Sequence, residues 1–303
     1  MSAAFAAVDW GSSHVRLWLM DETGEVLAER RSADGMLKAQ GKFGEILEDH
    51  LSAFGVPEKL PVFACGMVGA RQGWVEAPYV AVPAALETIF AQAVRVSHEK
   101  RPVLILPGLS QGSPADVMRG EETQLAGLVE TLRPGAALAC LPGTHSKWAE
   151  LDGDRVAGFA TYLTGELFAV LREHSILRHS LADAEPASGP SAVFRTACGE
   201  ILEDGDLPGR LFGVRAGGLL SGTSANDSAA RLSGLLIGAE IFAARQRFAG
   251  SSMPVLLVAS GTMRALYEAA LELAGLPFTH ADADLSVRAG LYAAARHYRE
   301  LWI

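Results

Sequence analysis

The chain has 303 residues, of which 49% are hydrophobic and 20% are charged, and its formal net charge is −9. This composition is that of a globular protein, and the length favours two lobes because one hydrophobic core rarely grows beyond about 250–300 residues. The negative charge and the interrupted apolar stretches argue against nucleic acid and membranes as partners, so we expect a cytoplasmic protein.

The first part of the chain alternates between strand and helix patterns. The acid-rich start of residues 119–132 predicts a helix. Pro134 and Gly135 then interrupt the pattern, and we place the lobe boundary there, with lobes at residues 1–135 and 136–303. Short apolar runs before the helix predict five strands, in residues 3–10, 15–21, 25–31, 61–68 and 103–108.

The rest of the chain contains two strong helix patterns. Residues 229–248 are apolar enough for a buried helix, and residues 263–275 place apolar side chains at helical spacing before a glycine stop. Residues 180–192 lack a regular pattern and predict a loop. The cysteines follow neither a disulfide nor a metal-site spacing, so we expect all three to be reduced and buried: Cys65, Cys140 and Cys198.

Two segments of the chain share one pattern, residues 7–27 and residues 139–159. Each is an apolar strand that turns on a glycine and a hydroxyl residue, at residues 11–12 and 143–144. Each then continues through a tryptophan-containing strand and reverses at an acidic–glycine turn. The repeat predicts a duplicated fold with a phosphate-facing hairpin in each lobe; two hairpins that are alike by chance are the alternative.

The first of these turns has the chemistry of an anion site. Gly11 lets the backbone approach a ligand, while Ser12 and Ser13 offer amide and hydroxyl donors. Asp9 would repel bare phosphate, so we expect it to hold Mg²⁺ through water, since Mg²⁺ gives up its water reluctantly. The alternative is a carboxylate that caps its own turn.

A second candidate is the segment "MRGEETQ" at residues 118–124, where a loop enters a helix. A sugar hydroxyl that attacks a γ-phosphoryl group needs a carboxylate to accept its proton. Glu121 is our first candidate for this base and Glu122 the second, because adjacent side chains point in different directions. A favourable interaction with the helix macrodipole explains one glutamate here without any catalytic role.

A third candidate is the group Ser260, Gly261 and Thr262, where a strand runs into a helix and offers backbone N–H groups to an anion or nucleotide. His145 lies in the second turn, where a role in the nucleotide site and a solvated loop position are equally compatible with it. The P-loop, dinucleotide-binding, serine hydrolase and zinc-protease motifs do not occur in the sequence.

In this order the motifs resemble those of the actin-like ATPase superfamily, and seven blocks resemble the 2-dehydro-3-deoxygalactonokinase family across residues 4–297. The blocks are "AVDWGSSHVRLWL", "CGMVGARQGWVEAPYVAVPA", "ILPGLSQ", "VMRGEETQLAG", "LPGTHSKW", "LTGEL" and "LSGLLIGAE". The resemblance implies a two-lobed α/β fold of the actin-like, ribonuclease H-like type, with the active site in the interlobe cleft. It also implies a carbohydrate kinase that uses ATP to phosphorylate 2-dehydro-3-deoxy-D-galactonate on its 6-hydroxyl in galactonate catabolism.

The resemblance also implies roles for individual residues. The catalytic aspartate of related carbohydrate kinases falls near Glu121, but the spacing fits Glu122 equally well. The first phosphate motif matches Asp9, Gly11, Ser12 and Ser13, and the second matches Gly143 and Thr144. The adenosine motif matches Ser260, Gly261 and Thr262. Arginine matches a carboxylate bidentately, and the candidates for binding the sugar acid are Arg16, Met67, Arg71, Trp74 and Arg119.

Two other functions stay open at this point. The same fold supports kinases for other sugars or sugar acids, and it supports non-kinase ATPases that act as regulators. The expected small-molecule partners are ATP, Mg²⁺ and the sugar acid, and a homodimer is compatible with the sequence.

Overall fold

The computed structural model describes residues 2–97, 100–129, 132, 136–249 and 254–302. Its contacts divide the chain into two compact units. The first unit consists of Met1–Gly135, Leu151–Gly158 and Ala283–Ile303, and the second of Ala136–Glu150 and Phe159–Asp282.

The predicted lobes, residues 1–135 and 136–303, differ from these units in two segments. Leu151–Gly158 belongs to the first unit, where Arg155 and Val156 pair with a short strand at residues 84–85. The final helix also belongs to the first unit, because it packs on the helix that begins at Glu121. The predicted boundary residues Pro134 and Gly135 lie outside the described residues.

Within the part of the chain that the structure describes, the first unit begins with ten strands and three helices. The strands are β1 Phe5–Trp10, β2 Val15–Met20, β3 Val26–Ser32, β4 Val62–Gly66, β5 Tyr79–Ala81, β6 Ala84–Ala85, β7 Val94–Arg95, β8 Val103–Ile105, β9 Gly108–Gly112 and β10 Ala115–Met118. The helices are α1 Met36–Ala39, α2 Phe43–Ser52 and α3 Glu121–Ala126.

The first unit contains a six-stranded sheet whose strand order is β3-β2-β1-β4-β8-β7. The strand β1 pairs antiparallel with β2 and parallel with β4, and this register places Asp9 beside both Arg16 and Cys65. Side chains on these strands alternate between faces, and one face packs with α1 and α2 into a buried apolar core. Near the carboxyl end of β1, the polar side chain of Asp9 therefore lies outside this apolar core.

In the described residues, five more strands and six helices follow, and they belong to the second unit except where β12 and β13 enter the segment Leu151–Gly158 of the first. A last helix belongs to the first unit again. The strands are β11 Ala136–Leu141, β12 Ser146–Asp152, β13 Arg155–Tyr162, β14 Val255–Val258 and β15 Phe278–Ala281. The helices are α4 Thr164–His174, α5 Arg178–Leu181, α6 Ala192–Asp204, α7 Leu207–Leu220, α8 Ala225–Arg247, α9 Gly261–Leu273 and α10 Ala283–His297.

The same strand order recurs in the two large sheets. The first sheet contains β3-β2-β1-β4-β8, and the second contains β13-β12-β11-β14-β15, with β6 added at its end. In both sheets the strand that precedes the glycine turn has a parallel neighbour: β1 pairs with β4, and β11 pairs with β14. The predicted duplication is therefore confirmed, and each copy places a glycine–hydroxyl turn between the first two strands of its sheet.

Most predicted elements are confirmed, and one was wrong in its bounds. The strands β1 to β4 and β8, and the helices α8 and α9, lie where the patterns placed them. The helix predicted for residues 119–132 spans only Glu121–Ala126 in the described residues. Its start is set by Gly120, whose φ of 110° cannot continue a helix backwards from Glu121. The loop predicted for residues 180–192 begins after α5 and ends where α6 starts.

The three cysteines are free and buried, as predicted. No helix in the described part of the chain is both long enough and apolar enough to cross a lipid bilayer.

Candidate active site

The turn after β1 is held from behind by the start of α1. The carbonyl oxygens of Gly11, Ser12 and Ser13 accept hydrogen bonds of 2.9–3.3 Å from the N–H groups of residues 35–37. Among the described residues, the N–H groups of Ser12 and Ser13 have no main-chain acceptor, and both residues are exposed. The turn therefore offers unpaired backbone donors and hydroxyl groups, which is what an anion site requires.

Gly35 makes this arrangement possible. A Cβ atom at Gly35 would lie 2.5 Å from the Ser12 carbonyl oxygen and nearer still to the backbone of Ser13. Any side chain would force α1 away from the turn and break the bonds that hold it. Sequence reasoning missed this residue, because nothing in its local pattern distinguishes it from an ordinary loop glycine.

The turn after β11 is built in the same way. The N–H of Glu166, at the start of α4, donates to the Thr144 carbonyl oxygen at 3.0 Å, and a Cβ atom on Gly165 would lie 2.6 Å from the Gly143 carbonyl oxygen. Within the described residues, the N–H groups of Thr144 and His145 have no main-chain acceptor. The His145 imidazole pairs with the Glu166 carboxylate, so it is held beside the turn.

Asp9 carries the carboxylate nearest to the first turn, and Arg16 holds it. The guanidinium of Arg16 donates to Asp9 Oδ2 from two nitrogens and also pairs with Asp284 at the start of α10. The other carboxylate oxygen, Oδ1, receives a weak contact from Cys65 Sγ at 4.0 Å. Arg16 therefore fixes the orientation of Asp9, and its donors face carboxylates of the protein itself.

These residues fit one kind of magnesium site. Mg²⁺ usually keeps several waters and binds one or two carboxylates together with phosphate oxygens. In the described part of the chain, no group of three or more His, Cys, Asp or Glu side chains could hold a metal. Asp9 therefore fits an ion whose other ligands are water and phosphate, and does not fit an ion that the protein holds without a nucleotide.

Two glycines bring the start of α3 against the first turn. At Gly66, the last residue of β4, φ is 87°, and a Cβ atom would lie 2.8 Å from the Trp10 carbonyl oxygen and 3.4 Å from Asp9 Oδ1. A Cβ atom at Gly120 would lie 3.5 Å from the Cα atom of Gly66. The first unit thus brings together the first glycine–hydroxyl turn, Asp9 and the two glutamates at the start of α3.

Glu121 and Glu122 occupy different environments. Glu122 is 1% exposed, and its carboxylate accepts hydrogen bonds from the Gly120 N–H at 2.7 Å and the Thr123 hydroxyl at 2.9 Å. Burial, together with the nearby charge of Glu121, raises the pKa of Glu122 to about 8. Glu121 is half-buried, and its carboxylate accepts from the Arg119 N–H at 3.0 Å. At neutral pH Glu122 therefore keeps its proton, while Glu121 is in part open to solvent.

The three candidate arginines for the substrate also differ in their surroundings. Arg16 is engaged by carboxylates, and Arg119 donates to the Ala77 carbonyl oxygen at 2.8 Å with its guanidinium 4.2 Å from the centre of the Tyr79 ring. Arg71 is exposed, and among the described residues it forms neither a hydrogen bond nor an ion pair. Arg71 is thus the candidate whose five donors are available to a ligand.

Trp74 and Met67 belong to the apolar core of the first unit. The Trp74 ring stacks on Phe43 with centroids 6.0 Å apart and meets the edge of Trp10 at 6.4 Å. Met67 begins the 3₁₀ turn Met67–Gly69 after β4 and packs against the same core. Their contacts with a sugar acid remain predictions, whereas their packing gives both residues a structural role.

The third predicted motif lies at the carboxyl end of β14. The Ser260 hydroxyl donates to Asp282 at 2.8 Å, and Gly261 and Thr262 begin α9. A cavity of about 400 Å³ opens next to this helix in the second unit. Gly143 of the second turn borders this cavity. Its walls are mostly apolar side chains of α4, α6, α8 and α9, namely Phe168, Phe194, Ala229, Ala230, Leu236, Met263 and Leu266.

A model of the 2-keto-3-deoxy-galactonokinase family matches residues 9–294. The chain belongs to this family. The predicted carbohydrate kinase family is therefore confirmed, and the match includes both phosphate turns, the start of α3 and the start of α9. A relative from Rhizobium meliloti (strain 1021), named as a probable 2-dehydro-3-deoxygalactonokinase, is 51% identical over 296 residues, which are 96% of each chain.

Solved structures agree with this membership of the galactonokinase family. A crystal structure from Sinorhizobium meliloti that carries the same enzyme name is 50% identical, with a TM-score of 0.91 over 97% of this chain and 99% of its own. The activator of 2-hydroxyisocaproyl-CoA dehydratase from Clostridium difficile, solved with bound ADPNP, shares only the fold. It is 14% identical, with a TM-score of 0.52 over 98% of this chain and 96% of its own. The predicted α/β fold of the actin-like ATPases is confirmed.

Proposed function

We propose that the protein transfers the γ-phosphoryl group of ATP to the 6-hydroxyl of 2-dehydro-3-deoxy-D-galactonate. One observation carries the proposal beyond the family name. Each half of the duplicated fold contains a turn with a carbonyl oxygen that accepts a hydrogen bond from the start of a following helix, while two N–H groups of the turn have no main-chain acceptor among the described residues. Two such turns in a galactonokinase-family chain are suited to the polyphosphate of a nucleotide.

The phosphates are bound by the two turns and by Mg²⁺. Ser12 and Ser13 contribute N–H and hydroxyl donors from the first unit, and Thr144 contributes the same groups from the second. Asp9 would hold Mg²⁺ through water, and the ion, when bound, neutralises charge on the phosphate oxygens. Arg16 keeps the Asp9 carboxylate in place for this role.

Glu121 is the base in this mechanism. The oxygen of the 6-hydroxyl forms the new bond to phosphorus, the bond from the γ-phosphorus to the bridging oxygen breaks, and the hydroxyl proton passes to the Glu121 carboxylate. The supporting observation is the difference in exposure: Glu121 is half-buried, whereas Glu122 is 1% exposed. Because its pKa is raised to about 8, Glu122 also keeps its proton at neutral pH and cannot take up another.

Arg71 binds the carboxylate of the sugar acid. It lies two residues beyond the turn Met67–Gly69, which follows directly on β4 and therefore belongs to the same region as Asp9 and Glu121. Its guanidinium has no partner within the described residues, and a fork of donors is suited to a carboxylate. Arg16 and Arg119 are engaged by groups of the protein, which supports the choice of Arg71.

The adenosine part of ATP lies in the cavity of the second unit. Flat aromatic ligands bind in clefts of this size that are mainly apolar with a few polar groups. The cavity is bordered by Gly143, so a nucleoside there would have its phosphates at the second turn. Ser260, Gly261 and Thr262 stand at the start of α9, directly before Met263 and about one turn before Leu266, both of which line the cavity.

The test is an assay that couples ADP formation to each of several acceptors. We expect turnover with 2-dehydro-3-deoxy-D-galactonate, weaker turnover with the gluconate-derived epimer, and none with simple aldoses. Glu121→Gln should lower kcat by at least about 10²-fold with unchanged ATP affinity, which is the usual range for a lost general base. The matched control Glu122→Gln should keep its turnover at neutral pH, because glutamine resembles the protonated glutamate.

Three results would count against parts of this proposal. ADP formation that no sugar acid accelerates would point to an ATPase regulator instead of a kinase. Preference for another sugar would retain the kinase and change its substrate. An inactive Glu122→Gln beside an active Glu121→Gln would move the base by one residue.

A further inference from the structure

Glu240 is a buried carboxylate that none of the predicted roles uses. It lies within α8 and is 3% exposed. Its Oε1 atom accepts from Trp148 Nε1 at 2.8 Å, and its Oε2 atom accepts from the Tyr267 hydroxyl at 2.7 Å and from the Thr164 hydroxyl. A carboxylate in a protein core is tolerated when donors surround it, and here side chains of β12, α4 and α9 do so, with Ser146 of β12 as a further hydrogen-bond partner.

One arm of this network reaches the second phosphate turn. The Tyr267 hydroxyl lies 3.0 Å from Ser146 Oγ, and the Gly143 N–H donates to the same Oγ at 3.4 Å. The Tyr267 hydroxyl donates to Glu240, and the Ser146 side chain also hydrogen-bonds Glu240 itself. The Gly143 amide is thus connected through the Ser146 hydroxyl to the Glu240 carboxyl group and to Tyr267.

The other arm reaches the back of the same turn. Thr164 is the first residue of α4, and the two residues that follow it hold the turn from behind. These are Gly165, which packs against the Gly143 carbonyl group, and Glu166, whose N–H donates to Thr144. Oε2 of Glu240 thus accepts from both arms, so it is connected through Tyr267 to Ser146 and through Thr164 to the start of α4 behind the turn.

Three blocks that are far apart in the sequence meet in this network. The block "LPGTHSKW" supplies Ser146 and Trp148, "LTGEL" supplies Thr164, and "LSGLLIGAE" ends on Glu240. Nothing in their spacing along the chain connects them, but all three contribute atoms to one buried carboxylate. The fold therefore places the last residue of a helical block under a turn that lies almost a hundred residues earlier in the chain.

We propose that Glu240 is a positioning residue for the phosphates of ATP, because it sets the conformation of the turn at residues 143–146. This inference rests on the proposed function, since it requires that the turn binds phosphate. Thr164 and Tyr267 also line the cavity proposed for adenosine, so removing the network should weaken the binding of phosphate-bearing nucleotides more than the binding of the nucleoside alone.

The decisive variant is Glu240→Gln. An amide has one accepting oxygen, so its NH₂ group must face either the Trp148 donor or the two hydroxyl groups. In both orientations at least one bond of the network is lost or reversed. We expect the affinities for ADP and for a non-hydrolysable ATP analogue to fall about tenfold, as for one or two lost hydrogen bonds. The affinity for adenosine should fall by clearly less than the affinity for ADP, and the KM for the sugar acid should change by less than about twofold.

A second variant, Ser146→Ala, cuts the network at the turn and leaves Glu240 with its other three hydrogen-bond partners. It should reproduce the selective loss of ADP affinity, and it decides the question if Glu240→Gln fails to fold. The matched control is Ile241→Val, which removes one buried carbon from the neighbouring residue of α8. It should lower the melting temperature without changing the ratio of ADP affinity to adenosine affinity. Calorimetric titration measures all these affinities.

The outcomes separate this inference from the function on which it rests. Wild-type affinity for ADP in the folded variants would overturn the role of Glu240. An equal loss for ADP and adenosine would also overturn it, because general damage to the unit has that effect. A wild-type protein that phosphorylates no sugar acid would refute the proposed function, whereas the comparison of ADP with adenosine would still decide whether Glu240 positions the turn.

Discussion

Replacing Glu122 by glutamine should change how the stability of the protein depends on pH. In the folded protein, burial raises the pKa of this carboxyl to about 8 from an ordinary value of 4.5. One oxygen of this side chain lies 2.7 Å from the Gly120 N–H, which donates to it, and the other lies 2.9 Å from the Thr123 hydroxyl. Glutamine offers an acceptor and a donor in the same places, and it cannot ionise.

The sign of the effect follows from proton binding. Between pH 4.5 and about 8, the folded protein holds a proton on Glu122 that the unfolded chain has released, so the free energy of unfolding falls as pH rises. The contribution is fully present below pH 4.5 and is lost above pH 8. The two pKa values differ by about 3.5 pH units, and at about 1.4 kcal/mol for each unit this corresponds to about 5 kcal/mol.

The measurement is urea unfolding of the wild type and Glu122→Gln, followed by tryptophan fluorescence at about pH 5 and about pH 8.5. The variant should be close to the wild type at the lower pH and more stable by up to about 5 kcal/mol at the higher pH. Glu58→Gln, which changes an exposed glutamate of the same unit, should show no such divergence. A difference that grows by less than about 1 kcal/mol across this range would refute the reasoning, because burial would then not have shifted the titration of Glu122.

Three further predictions concern the glycines and the free arginine. In Gly290→Ala the new Cβ would overlap a backbone oxygen of α3, so the free energy of unfolding in urea should fall by about 1–3 kcal/mol and kcat should fall as well. In the control Gly199→Ala the new Cβ lies in open space, so the free energy of unfolding should instead rise by about 0.5–1 kcal/mol. Gly35→Ala would push α1 off the Ser13 backbone, and steady-state kinetics should show a KM for ATP at least about tenfold higher. Arg71→Ala should raise the KM for the sugar acid at least about tenfold while the KM for ATP is unchanged, as expected for a lost charged hydrogen bond; an equal rise in both would contradict a role in binding the carboxylate.

Local patterns predicted the elements whose residues interact over a short distance along the chain. The two hairpins were found because alternation, a glycine–hydroxyl turn and a tryptophan strand all lie within about twenty residues. The helices α8 and α9 were found because apolar residues recur at helical spacing. The start of α3 was misplaced, because the positive φ of Gly120 depends on its packing against β4 and cannot be read from an acid-rich segment.

The choice between adjacent glutamates shows the limit of such patterns. Glu121 and Glu122 have the same side chain and neighbouring positions, so spacing treats them alike. Packing makes Glu122 almost fully buried and leaves Glu121 half-buried, and burial is what raises the pKa of Glu122. The structure thereby supports a choice of base that the sequence left open.

By itself, the amino-acid sequence determined the duplicated hairpins, the family resemblance and the residue types that phosphoryl transfer needs. Those features are local, since each depends on backbone propensity and on the chemistry of a few consecutive side chains. The tertiary structure alone decided which side chains are buried and which groups from distant segments meet. Gly35 behind the first turn, Gly165 behind the second and Glu240 beneath it depend on contacts between elements far apart in the chain, and no local pattern records such contacts.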